Sequence, residues 1–267
     1  MTNNNIHPYT PAKKFEKKVT YFSMEFGIHQ VLKIYSGGLG FLAGSHMRSA
    51  HELKQNVIGI GMLWKYGYYD QSRNDDQTLR TDFTEKAYHF LEDTGIEVSV
   101  KLHDNPDVKV RAYLLKPEIF GSAPIYLLST DVEGNDFLSR TITNHLYDSN
   151  EVTRVSQSIV LGIGGAKVVE ALGGADIYHL NEGHGLPAFY YLYYTIINHN
   201  FLGTISIFGT VNYYTNTLII LTILLFYLFP WAGFGYLFLQ GMHDPLDSSF
   251  EAKPRIPSKR FDLLFFR

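Results

Sequence analysis

The stretch Tyr35-Ser36-Gly37-Gly38-Leu39-Gly40-Phe41-Leu42-Ala43-Gly44 limits what this chain can fold into more than any other. Its first three glycines fall within four residues, after an apolar strand-like run and before a helix-like one. Glycine tolerates positive φ and lets a ligand approach the backbone closely. A helix that starts behind such a loop presents unpaired N–H groups and the positive end of its dipole. That combination makes an anion site, most often for phosphate. A strand-to-helix turn needing glycine for geometry alone would read the same way, because Gly-Gly-x-Gly is not a specific pattern.

The flanking pattern is α/β. Residues 19–24, Val-Thr-Tyr-Phe-Ser-Met, read as a short buried strand, and residues 57–61, Val-Ile-Gly-Ile-Gly, as a second. Between them Leu42, Met47, Ala50 and Leu53 recur at helical spacing, which predicts a helix over 42–54. Strand, loop, helix and strand in that order favour a parallel sheet with right-handed crossovers. Residues 62–71 are aromatic and read as a strand or a pocket wall, with core packing the ordinary use of such tyrosines. Residues 72–94 are polar and read as a loop. Runs 97–102, 109–115 and 125–129 read as strands of a small antiparallel insertion, separated by turn chemistry.

Residues 151–172 are helical in pattern. Gly162-Ile163-Gly164-Gly165 lies inside that pattern, so close helix packing explains it better than a dinucleotide motif. Gly173-Gly174 caps the helix, and 176–180 form a strand ending in Asn181-Glu182-Gly183-His184. In open α/β sheets, ligands bind at that end of the strands. The cluster does not have zinc-site spacing, and no metal is expected. A satisfied structural network is the competing reading of these four residues.

Bulk composition excludes several classes. A net charge of −3 and a pI near 6.4 argue against nucleic-acid binding. Without cysteine there is no disulfide or thiolate chemistry. The first eight residues lack signal-peptide features, so a cytoplasmic location is the expectation. One discontinuity stands out: no Asp, Glu, Lys or Arg occurs between Glu182 and Asp244. The expected organisation is a loose polar arm over 1–18, an α/β domain over 19–195 and a hydrophobic tail over 196–267.

Several motifs together resemble the N-terminal part of bacterial α-glucan (glycogen and maltodextrin) phosphorylases. They are Tyr21–Gly27, Ser36–Gly44, Tyr66-Gly67-Tyr68-Tyr69-Asp70-Gln71, Arg140-Thr141-Ile142-Thr143, Leu161–Gly165 and His179–His184, in order over about residues 18–192. The resemblance implies the Rossmann-like N-terminal half of a two-domain GT-B glycosyltransferase. It implies phosphorolysis of a terminal α-1,4-glucosyl unit by inorganic phosphate, releasing glucose 1-phosphate, with pyridoxal 5′-phosphate as cofactor. By the same resemblance Gly37, Gly38, Leu39 and Gly40 lie against the phosphates and the glucosyl unit. His184 matches a histidine that hydrogen-bonds the glucose, and Asn181 and Glu182 take supporting roles.

The resemblance also shows departures. The family's Schiff-base lysine lies in a C-terminal domain that has no counterpart here, and its Thr-Thr-His-Thr-Pro stretch is missing. From about Thr195 nothing matches. Residues 218–239 form an uncharged run long enough to span a bilayer. That tail reads as an out-of-frame continuation, a membrane helix or a divergent buried segment, the first being favoured. A truncated, inactive phosphorylase fragment is therefore the expectation. A membrane-anchored carbohydrate- or phosphate-binding module and a nucleotide-sugar glycosyltransferase are the alternatives.

Overall fold

Strand β1 (Val19–Phe22) lies inside the main sheet of the computed structural model, which describes residues 6–102, 107–199 and 206–210. After β1 come α1 (Gly38–Glu52), β2 (Val57–Met62), β3 (Asp70–Arg73), β4 (Leu79–Asp82), β5 (Glu92–Val100) and β6 (Val108–Leu115). Next are α2 (Pro117–Phe120), β7 (Ile125–Ser129), α3 (Phe137–Thr141), α4 (Glu151–Ile159), a π-helical turn (Val160–Gly164) and α5 (Gly165–Ala171). The described chain ends with β8 (Ile177–Asn181), α6 (Pro187–His199) and β9 (Ser206–Thr210). Seven strands form one sheet in the order β5-β6-β7-β2-β1-β8-β9, and β3 and β4 form a separate hairpin.

Five adjacent strands, β7 through β9 in that order, run parallel, while β5 and β6 join antiparallel beside β7. The expected antiparallel insertion thus extends the main sheet. From β1 the chain moves to β2 on one side, and it later returns to β8 on the other. The carboxyl ends of β1 and β8 therefore flank a topological switch point, where α/β sheets open a crevice.

Alternation along β1 decides which helix covers which face. The Tyr21 ring lies 4.8 Å from the His46 ring of α1. Phe22 points the other way, where a Cβ on Gly165 would stand 2.7 Å from its ring. Phe22, Ile60, Leu127, Leu161 and Val168 are fully buried. Each contributes about 1.5–3 kcal/mol relative to exposure. Gly162 behaves as the packing reading expects: a Cβ there would lie 2.7 Å from the Ala188 nitrogen at the start of α6.

Three local expectations change. Helix α1 starts at Gly38, not at 42, so the glycine loop is partly the helix's own first turn. The stretch 72–94 holds most of the β3–β4 hairpin, whose side chains stay exposed or half-exposed and so carry no hydrophobic alternation. Residues 6–18 are not a loose arm. His7 is buried and stacks on Tyr9, Tyr9 donates its hydroxyl to Gln55 O at 3.0 Å, and Asn56 holds Glu16 O. The aromatic pair outweighs the lysines that suggested solvation.

The described residues fall in one compact unit that runs to Thr210, so the sheet continues past residue 195. Among them, no helix is long and apolar enough to cross a membrane. The 218–239 run lies outside the described residues.

Candidate active site

The crevice at the switch point is built around Glu25, three residues past the end of β1. This carboxylate is only 2% exposed. Charged side chains are almost never buried unless paired, and Glu25 is engaged on both oxygens. Oε2 accepts the backbone N–H of Ser36 at 2.7 Å and of Gly37 at 3.2 Å, with the Ser36 hydroxyl at 3.3 Å. Oε1 accepts the Tyr147 hydroxyl at 2.7 Å. The carboxylate sits at the N-terminal end of α1.

Close packing holds that segment in place. Gly27 N donates to Gly40 O at 2.7 Å, and a Cβ on Gly44 would lie 2.2 Å from Gly27 O. Arg48 of α1 donates to the carbonyls of Ile28 and Gly27 at 2.7 and 3.2 Å. Buried Trp64 donates to Met24 O at 2.8 Å. The loop after β1 and the first turns of α1 thus form one body.

The four glycine-loop positions divide by environment. A Cβ on Gly37 or Gly38 would meet nothing within 4 Å, so open space lies before the helix start. Gly40 is buried, and a Cβ there would meet Tyr35 at 2.6 Å and Glu25 at 2.8 Å. It is a packing glycine. Ser36 and Gly37 spend their N–H groups on Glu25. Gly38, Leu39 and Gly40 occupy the first turn, where N–H groups have no intrahelical acceptor.

His184 enters from the other strand of the switch point. Its backbone N–H closes a turn on Asn181 O at 3.0 Å, and its Nδ1 accepts the Met24 N–H at 3.2 Å. With Nδ1 accepting, the neutral ring carries its proton on Nε2. That atom lies 3.4 Å from the Tyr147 hydroxyl oxygen. Burial pushes the His184 pKa down to about 4, with the Glu25 carboxylate pulling the other way. At neutral pH His184 is thus an uncharged N–H donor. Burial and the Glu25 bond push the Tyr147 phenol far up, so it stays protonated.

Asn181 is fully buried and donates to Ser23 Oγ at 3.1 Å, which in turn donates to Glu25 O at 2.8 Å. It ties the ends of β8 and β1 together. Glu182 and Tyr147 both adopt left-handed backbone, at φ +54° and +57°. Such non-glycine residues store about 1–3 kcal/mol each and concentrate at functional sites. Of the residues expected from sequence, Gly37 and His184 are joined through Glu25 and Tyr147, and Asn181 through Ser23. Glu25 and Tyr147 were missed as site residues. A lone carboxylate among apolar neighbours at a strand end was the available signal for Glu25. Tyr147 carried none, since its partners are distant in sequence.

The buried imidazoles make stability pH-dependent. His179 is also lowered to about 4, by burial and then by the neighbouring His46, and burial lowers His46. In the unfolded chain these groups titrate near 6.5. On acidification the unfolded state takes up protons first, so stability is full above pH 6.5 and declines toward pH 4. Urea midpoints at pH 7, 5.5 and 4.5 are expected to fall in that order, and less steeply in His179→Gln. Equal midpoints would refute this.

No family model matches the chain. It is 37% identical over 195 residues to a maltodextrin phosphorylase of Thermococcus litoralis, covering 67% of this chain and 22% of that protein. It is 34% identical over 192 residues to a glycogen phosphorylase of Mycobacterium tuberculosis, covering 65% and 21%. An uncharacterized protein of Methanocaldococcus jannaschii is 50% identical over 171 residues, covering 64% and 33%. The chain thus spans between a fifth and a third of the length of these relatives. About two thirds of it is phosphorylase-like at moderate identity.

Proposed function

We propose that the α/β unit is the N-terminal wall of an α-glucan phosphorylase catalytic cleft, where a glucosyl unit meets inorganic phosphate. One observation carries the reading. The free N–H groups of the α1 first turn and the Nε2–H of His184 belong to one switch-point crevice, connected through Glu25 and Tyr147. In phosphorolysis the phosphate oxygen forms a bond to the glucosyl C1 as the C1–O bond to the next sugar breaks, and the departing sugar oxygen takes up the proton that the phosphate gives up. An anion at that position needs N–H donors and a helix dipole, which Gly38, Leu39 and Gly40 supply. A neutral Nε2–H on His184 donates to a sugar hydroxyl and adds no charge next to the phosphate.

The resemblance also brings pyridoxal 5′-phosphate to this wall. Open space before Gly37 and Gly38 fits the phosphate end of such a group, which the N–H groups of Gly38–Gly40 would hold. When bound, its phosphate supplies a proton donor and acceptor beside the substrate phosphate. The anchoring lysine implied by the resemblance belongs to a part of the relatives that these residues do not span. Titration of the isotopically labelled chain with inorganic phosphate tests the reading through the Gly38–Gly40 amides.

A further inference from the structure

The N-terminal segment takes no part in the switch-point crevice, yet it brings a titratable cluster into the fold. His7 is buried and stacks on Tyr9 with ring centroids 5.1 Å apart, and Tyr9 meets the His51 ring of α1 edge-on at 5.6 Å. The Nδ1 atoms of His7 and His51 are both buried and have no hydrogen-bond partner among the described residues. We propose that residues 6–16 form an acid-released strap, held on the C-terminal end of α1 by His7 and His51 around Tyr9.

The hold at neutral pH is made of uncharged contacts. Tyr9 donates its hydroxyl to Gln55 O at 3.0 Å, just past the end of α1. Asn56 Nδ2 donates to Glu16 O at 2.9 Å. Ile6 is half-buried against the core. The strap is thus tied near both ends to the connection between α1 and β2. Ring stacking and neutral hydrogen bonds each contribute modestly in water. A new charge inside the cluster is therefore enough to reverse the balance.

Protonation supplies that charge. An imidazolium carries a proton on both ring nitrogens, and a proton on either Nδ1 would find no acceptor where it lies. Burying a charge without a partner is costly. Burial lowers the His7 pKa, the Asn56 side chain pulls the other way, and the His51 charge lowers it further. The groups that face His7 are Tyr9 on its own segment, His51 on α1 and Asn56 on the connection. None of them is a carboxylate, and Glu52, the neighbour of His51, is exposed. In the released strap His7 titrates near 6.5. The released form thus binds the proton more tightly than the docked one. Docking is complete above pH 6.5 and weakens as the pH falls below it. One imidazole raises the ratio of released to docked strap by up to about tenfold per pH unit.

Aromatic NMR spectra of the full chain with labelled tyrosine rings, recorded between pH 7.5 and 5, test the strap. In wild type the Tyr9 ring is expected to pass from stacked to free shifts below pH 6.5. The buried Tyr178 ring of β8 is expected to hold its position, which separates release from unfolding. In the double variant His7→Gln, His51→Gln the Tyr9 shifts should not depend on pH, with Tyr178 reporting that the variant is folded. His51→Gln alone, at a half-buried position, should make the response shallower. A wild-type Tyr9 ring that stays stacked to pH 5, or moves only together with Tyr178, would overturn the strap. So would a response as steep as wild type in either variant.

Discussion

Glu25→Ala is expected to lower the unfolding free energy by about 3 kcal/mol, because it takes one buried acceptor from three donors at once. The N–H groups of Ser36 and Gly37 and the Tyr147 hydroxyl all lose their acceptor. An unsatisfied buried polar group costs about 1–3 kcal/mol, and partial access to water keeps the total at the lower end of the sum. Urea unfolding measures the loss. Hydrogen exchange supplies the more specific readout: the amides of Ser36 and Gly37 should exchange much faster, while those of β2 and β7 track global stability alone. Unchanged protection at Ser36 and Gly37 would mean that Glu25 does not hold the loop.

Gly44→Ala is expected to be at least as severe, for a steric reason. Its Cβ would stand 2.2 Å from Gly27 O and 2.6 Å from Gly27 C, and backbone cannot move aside as a flexible side chain does. Helix α1 would have to lift off the loop after β1, breaking the Gly27–Gly40 bond and the Arg48 clamp. Overpacking of this kind costs about 3 kcal/mol or more. Alanine's helix propensity returns only about 1 kcal/mol. Against a typical total of about 5–15 kcal/mol, a large drop in the urea midpoint follows. Gly38→Ala is the matched control. Its Cβ meets nothing within 4 Å, so its midpoint should stay near or above wild type. Equal effects of the two substitutions would contradict the packing account.

These two residues also mark how far the sequence could be read. The strands were legible because they are short, apolar and β-branched; 125–129 coincides with β7, but it was assigned to an antiparallel insertion and runs parallel to β2. The strand that leads to His184 was legible as an apolar run, and β8 covers Ile177–Asn181. The β3–β4 hairpin was not, since its side chains lack an apolar face and so leave no period-two signal. The start of α1 was misplaced because glycines have poor helix propensity. Here Gly40 and Gly44 are retained for contact with Glu25 and Gly27, a tertiary reason that no local window contains. Tyr147 was invisible for the same cause, its partners Glu25 and His184 being distant in the chain. The resemblance to phosphorylases supplied roles for the glycine loop and His184. The hydrogen bonds that join those two elements came only from the structure.

The proposed function makes the first turn of α1 the anion-binding wall of a phosphorylase cleft. Its most direct test is a backbone amide titration of the labelled chain with inorganic phosphate at pH 7. Saturable shifts are expected at Gly38, Leu39 and Gly40, with Ser36 and Gly37 little changed because Glu25 already occupies their N–H groups. Glucose 1-phosphate should produce the same shifts and, in addition, move the His184 side-chain resonances. Shifts scattered over surface lysines, or none at residues 38–40, would contradict it.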